Sequence, residues 1–96
     1  MVDYSNNIII KDLRQIPGVG QKIAEDLYNL GVRSVGDLKD ESAETLYKKL
    51  NRIQGKDIDR CMLYVLRCAV YYASNDTHDP ELLKWWNWKD RPYMDA

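Results

Sequence analysis

Ile16-Pro17-Gly18-Val19-Gly20-Gln21-Lys22 sets two glycines on either side of one apolar residue, directly ahead of a strongly periodic helical segment. Proline offers no backbone N–H and pushes the residue before it out of the α region, so a helix entering this stretch must stop before Pro17. Gly18 and Gly20 permit positive φ and let the backbone come close to a ligand. The next helix begins with N–H groups that have no intrahelical acceptor, and the positive end of its dipole favours an anion. The stretch therefore predicts a tight reversal over 16–22 whose amides, those of Gly18, Gly20, Lys22 and Ile23, can hold a phosphate. Lys22 adds a mobile point charge at the same place.

The flanking pattern completes a helical pair. Upstream, Ile9, Ile10, Leu13 and Ile16 turn inward on a helix that starts after Ser5 or Asn6. Downstream, Ile23, Ala24, Leu27 and Leu30 share one face of a helix over 20–30, with Lys22, Glu25, Asp26 and Asn29 outward, and Gly31 ends it. Ser34 with Asp37 reads as a capping-box variant opening a short connector helix, and Asp40 or Ser42 caps the next helix, which turns Leu46, Tyr47, Leu50 and Ile53 inward. A weak repeat follows: Leu50-Asn51-Arg52-Ile53-Gln54-Gly55 answers Leu13-Arg14-Gln15-Ile16-Pro17-Gly18, with Asp57 where Gly20 stands. The second hairpin, 53–59, is thus degenerate. From 58 to 73 the chain is apolar around most of a helix, broken by the stripe Arg60, Tyr64, Arg67 and Tyr71, which marks its outer side or a contact with another element. Asp79 and Pro80 open a last short helix carrying Leu82, Leu83, Trp85 and Trp86. The expectation is an all-α single domain over 1–96 with about five helices and a Trp-rich end over 79–96.

The stretch Leu13-Arg14-Gln15-Ile16-Pro17-Gly18-Val19-Gly20-Gln21-Lys22-Ile23-Ala24 resembles the helix-hairpin-helix motif of DNA repair, recombination and polymerase proteins. Leu30-Gly31-Val32-Arg33-Ser34-Val35-Gly36-Asp37-Leu38 resembles the connector that follows that motif in X-family polymerases. The remainder, with Asp59-Arg60-Cys61 leading into a Tyr-rich helix and Asp79-Pro80-Glu81-Leu82-Leu83-Lys84-Trp85-Trp86-Asn87-Trp88 after it, resembles a family of small standalone bacterial proteins labelled pathogenicity-locus or mitomycin-resistance-like. The resemblance covers nearly the whole chain. It implies a compact SAM-like domain with tandem helix-hairpin-helix motifs and DNA backbone as ligand, and it carries over no enzymatic activity. In related hairpins a potassium or sodium ion sits among hairpin carbonyls, which here would be those of Arg14, Ile16 and Val19.

Bulk properties limit the function. Ninety-six residues make one domain, too small to hold a catalytic unit beside a binding one. A net charge of −1 opposes a dominant electrostatic grip on nucleic acid. Backbone donors add no formal charge, so phosphate binding is expected to be weak or to need a second contact. The apolar run near the N-terminus is too short for a signal peptide or a membrane span, and a cytoplasmic location is expected. Cys61 and Cys68, about 10.5 Å apart on one helix, are beyond disulfide reach and read as reduced, buried thiols. With one histidine and no paired cysteines, no metal ligand set is proposed from side chains, and no cofactor.

The candidate site is therefore Gly18, Val19, Gly20, Lys22 and Ile23, assisted by Arg14 and Lys11. Lys48, Lys49, Arg52, Lys56 and Arg60 form an auxiliary basic group, although Asp57 and Asp59 within it repel phosphate and a solvated face explains it equally well. Asp37, Asp40, Glu41 and Glu44 fall at helix starts, where the dipole favours acids, so a nuclease cluster is not the reading. His78, beside Asp79, has no nucleophile and reads as an exposed loop residue. Three tryptophans cannot all face inward, so Trp85, Trp86 or Trp88 is left to stack on an unpaired base or to anchor a protein partner. Two functions compete: a non-catalytic, sequence-independent DNA-binding module, and a protein-interaction module using the Trp-rich end or the Arg60/Tyr64/Arg67/Tyr71 stripe. No residue set supports an enzyme.

Overall fold

The apolar stripes become four α-helices in a computed structural model that describes residues 4–89. They are α1 (Tyr4–Leu13), α2 (Gln21–Asn29), α3 (Ala43–Gln54) and α4 (Cys61–Ser74). Short 3₁₀ turns cover Val35–Leu38, Pro80–Leu83 and Trp85–Trp88, and no strand occurs among the described residues. The end of the Trp-rich tail, 90–96, lies outside the described residues, as do 1–3.

The near-continuous apolarity of α4 has a packing cause. It meets α3 on one side, the 35–38 turn on another and both C-terminal turns on a third. Leu66, Cys68, Ala69 and Val70 are fully buried at its centre. The α1 and α2 pair adds Leu13, Ile16, Ala24 and Leu27 to the same core. The predicted stripe divides: Arg67 and Tyr71 are buried under the C-terminal turns, Tyr64 is half-buried and Arg60 is exposed.

Several local expectations are corrected. The anticipated fifth helix is two 3₁₀ turns split at Lys84, whose backbone is extended. Asp79 does cap it, accepting from the Glu81 amide. Beyond that turn, side chains take the carbonyls that a continuing helix would use: Asn87 Nδ2 donates to Glu81 O and Trp88 Nε1 to Leu82 O. Helix α4 starts at Cys61, because Ile58 is pinned outside it. Asn51 accepts from the Ile58 amide and Tyr47 donates to the Ile58 carbonyl, while Asp59 accepts from the Cys61 amide. Ser42 caps α3 through the Thr45 amide, whereas Ser34 makes no cap and Asp37 accepts from the Arg33 amide instead. Ile53 is 56% exposed and Asp26 is buried, the reverse of the expected faces.

The internal repeat diverges after its glycines. Gly18 and Gly55 both have left-handed φ, of 85° and 67°. After Gly18 the next helix begins at Gln21, but after Gly55 it begins only at Cys61. Asp57 therefore sits within a loop and not at a helix start.

Candidate nucleic-acid interface

The turn between α1 and α2 is built by apolar anchors and one glycine at positive φ. Ile16 and Val19 are buried, and the Val19 amide donates to the Ile16 carbonyl at 3.0 Å, closing the turn. That bond occupies one of the three carbonyls expected to face a monovalent ion. Gly18 uses positive φ, a region costly for residues with a Cβ. Gly20 does not: its backbone is extended, at φ −95° and ψ −167°, which any residue adopts. A Cβ added at Gly20 would meet nothing within 4 Å.

Gly20 is the N-cap of α2, and no side chain caps it. The first helical bond runs from Ala24 N–H to Gly20 O, so the Gln21, Lys22 and Ile23 amides have no acceptor among the described residues. The first turn of α2 also carries no acid. An anion placed there meets open donors and the positive end of the dipole.

The side chains around this opening are less free than the sequence implies. Lys22 is exposed, but its Nζ lies 2.8 Å from Asp26 Oδ1. Hydrogen bonding to Asp26, and then its charge, raise the ammonium pKa. Asp26 also accepts from Gln54 Nε2 at 3.2 Å and so joins α2 to α3. The i,i+4 spacing of Lys22 and Asp26 is the signal that could have revealed this pair. Arg14 is exposed and reaches Gln21 Oε1 at 3.5 Å, at the mouth of α2. Lys11 lies along α1 in a shallow cleft with Ile8, Asp12 and Gln15.

The auxiliary residues Lys48, Lys49, Arg52, Lys56 and Arg60 are all exposed, but they do not share one site. Lys49 borders a cleft with Asp37 and Glu41, whereas Arg60 borders another with Trp85 and Trp86.

The three tryptophans have three fates. Trp88 is buried against Tyr71 and Cys68. Its carbonyl accepts from Arg67 Nη1 at 2.8 Å, and Arg67 Nε donates to Glu44 at 3.0 Å. Trp85 is half-buried and lies against Gly18, where an added Cβ would stand 3.0 Å from Trp85 Cδ1. Trp86 is 56% exposed. No sequence signal pairs Trp85 with Gly18, because the two residues are remote in the chain.

Local contacts also place the cysteines, the histidine and the acids. Cys61 is exposed, not buried, while Cys68 is buried, and burial pushes its thiol up to about 11. His78 is half-buried with its ring stacked on Tyr72 at 4.7 Å, and its Nε2 lies 2.8 Å from the Tyr72 carbonyl. A carbonyl can only accept, so that nitrogen carries the proton. Glu44 is taken up by Arg67, and among the described residues no group of three His, Cys, Asp or Glu could hold a metal ion. No described helix is long and apolar enough to cross a membrane.

Comparison with known proteins agrees with this layout in extent. The model of the Pathogenicity locus (Cdd1) family matches residues 6–92. A curated relative, the mitomycin resistance protein McrB of Streptomyces lavendulae, is 26% identical over 77 residues, covering 80% of this chain and 70% of its own length. No solved structure matches the chain. Since the match runs from within α1 through the tryptophan turns, the chain belongs to the pathogenicity-locus family.

Proposed function

We propose that this chain is a non-catalytic DNA-binding module that holds backbone phosphate on the amides at the start of α2 and does not read sequence. In this reading α1 and α2 form an intact helix-hairpin-helix motif within a SAM-like domain, and 53–59 is a degenerate second copy. The observation that carries it is the open start of α2: an uncapped N-terminus, no acid in the first turn and empty space at Gly20. Backbone donors fix position on phosphate and carry no sequence information. Lys22, Arg14 and Lys11 add charge around the opening, while a net charge of −1 keeps the affinity modest. In this reading the module works in the cytoplasm.

Fluorescence anisotropy with labelled single-stranded, duplex, gapped and junction DNA, at low and then rising salt, tests the proposal. Salt-sensitive binding supports it, and no binding to any of the four at low salt refutes it. The exposure of Trp86 favours a second reading, a protein-interaction module, whose binding to its partner would hardly respond to salt.

A further inference from the structure

Trp86 stands beside a cleft of about 270 Å³ where α4 begins. Arg60, Cys61 and Tyr64 reach it from α4 and the residue before it, and Trp85, Trp86 and Lys89 from the C-terminal segment. Its volume falls just under the ~300 Å³ at which small-molecule pockets begin, so it suits one flat ring system better than a larger ligand. Its lining supplies what such a ring needs, aromatic surface for stacking and two cations for an adjoining anionic strand.

Two contacts place this cleft relative to the phosphate opening. Trp85 lines the cleft and also lies against Gly18, so the cleft borders the turn that leads into α2. Asp59 lies on the cleft as well, with Oδ1 accepting from the Cys61 amide at 2.8 Å. A carboxylate there can accept from a base N–H, while Arg60 and Lys89 on the same lining attract the strand's phosphates. The arrangement therefore suits an uncharged base in the cleft, with a neighbouring phosphate toward the turn that Trp85 touches at Gly18.

We infer that the cleft lined by Tyr64, Trp85 and Trp86 receives one unpaired nucleobase of a DNA strand whose neighbouring phosphate rests on the α2 amides. This rests on the DNA-binding reading and narrows its substrate class to DNA with unpaired bases. Duplex lacking an unpaired base can use only the amide contact.

The test compares two labelled oligonucleotides of equal length, one of thymidines and one wholly abasic, binding to the full chain at low salt. Anisotropy reports affinity and indole quenching reports stacking. The thymidine strand is expected to bind roughly tenfold tighter, with quenching. Trp86→Ala, which removes an exposed side chain, should close that gap and leave abasic affinity unchanged. Tyr64→Leu should narrow it. Equal wild-type affinity for both strands, with both lost in Gly20→Asp, overturns the base site and leaves the phosphate reading standing. Thymidine-strand binding that survives Gly20→Asp and vanishes in Trp86→Ala keeps the base site and overturns the phosphate reading. Binding of neither strand overturns both and leaves Trp86 to a protein contact.

Discussion

Trp85 rests against Gly18, so close that a Cβ at Gly18 would lie 3.0 Å from the indole Cδ1. One contact thereby joins the C-terminal segment to the turn between the first two helices. Gly18 meets two demands at once, positive φ and room for an aromatic ring. Gly20 meets neither, and its small size leaves the start of α2 uncovered.

Gly18→Ala should therefore destabilise the fold by at least about 1–2 kcal/mol, the cost of left-handed φ for a residue with a Cβ, with Trp85 displacement added. Urea unfolding followed by tryptophan fluorescence measures this. Gly20→Ala, in extended backbone with open space, should shift stability by less than about 0.5 kcal/mol. Equal losses at the two glycines would contradict the account of the turn.

Arg67 holds the C-terminal segment to α4 and α3 together, through the Trp88 carbonyl and Glu44. Arg67→Leu should cost about 1.5–3 kcal/mol, the range for hydrogen bonds to a charged group. Hydrogen exchange should show the greatest loss of protection over 80–89, and protection unchanged there would contradict the tether.

The two thiols should differ sharply in alkylation. Cys61 is exposed and should react in the folded protein, whereas Cys68, buried and pushed up to about 11, should react only on unfolding. A hydrogen bond to Asp59, then burial and the carboxylate charge, raise the Cys61 thiol above its ordinary value. Asp59→Asn should therefore speed Cys61 alkylation at about pH 8. The Cys61 amide holds the Asp59 carboxyl below its usual range. Stabilisation from this hydrogen bond is present above the ordinary carboxylate pKa and is lost as pH falls through the lower folded value. The stability difference between wild type and Asp59→Asn should shrink over that acid window in circular-dichroism melts.

Lys22 shares its charge with Asp26 before any ligand arrives. Asp26→Asn should free it and tighten DNA binding several-fold at low salt, an effect that disappears as salt screens the added charge. In the wild type, the pair stabilises below the ordinary lysine pKa and is lost as pH rises through the raised folded value. Anisotropy showing weaker binding in Asp26→Asn would contradict this role.

Helical periodicity revealed much of this fold because long amphipathic runs such as Ile23, Ala24 and Leu27 carry a strong local signal. Ser42, Asp79 and Pro80 marked their helix starts for the same reason, since caps act on adjacent backbone. What escaped is non-local. Asp26 reads as a surface acid, yet Gln54 covers it, and the stripe holding Arg67 reads equally as an outer side or a contact, which Trp88 and Glu44 decide for Arg67. The start of α4 lies at Cys61 and not at Ile58 because Asn51 and Tyr47, a helix away, hold Ile58 out of it. Of the candidate site, the glycine pattern points to the Lys22 and Ile23 amides but not to that of Gln21, and the position of Trp85 on Gly18 is tertiary.

Gly20→Asp is the most direct measurement. The site is an N-cap with extended backbone and no neighbour to clash with, so the new carboxylate can accept from the same α2 amides that would hold phosphate. The account predicts a melting temperature no lower than wild type and at least tenfold weaker, salt-sensitive DNA binding, with Gly20→Ala close to wild type in both. A well-folded Gly20→Asp protein that binds DNA as tightly as wild type would contradict phosphate recognition by these amides.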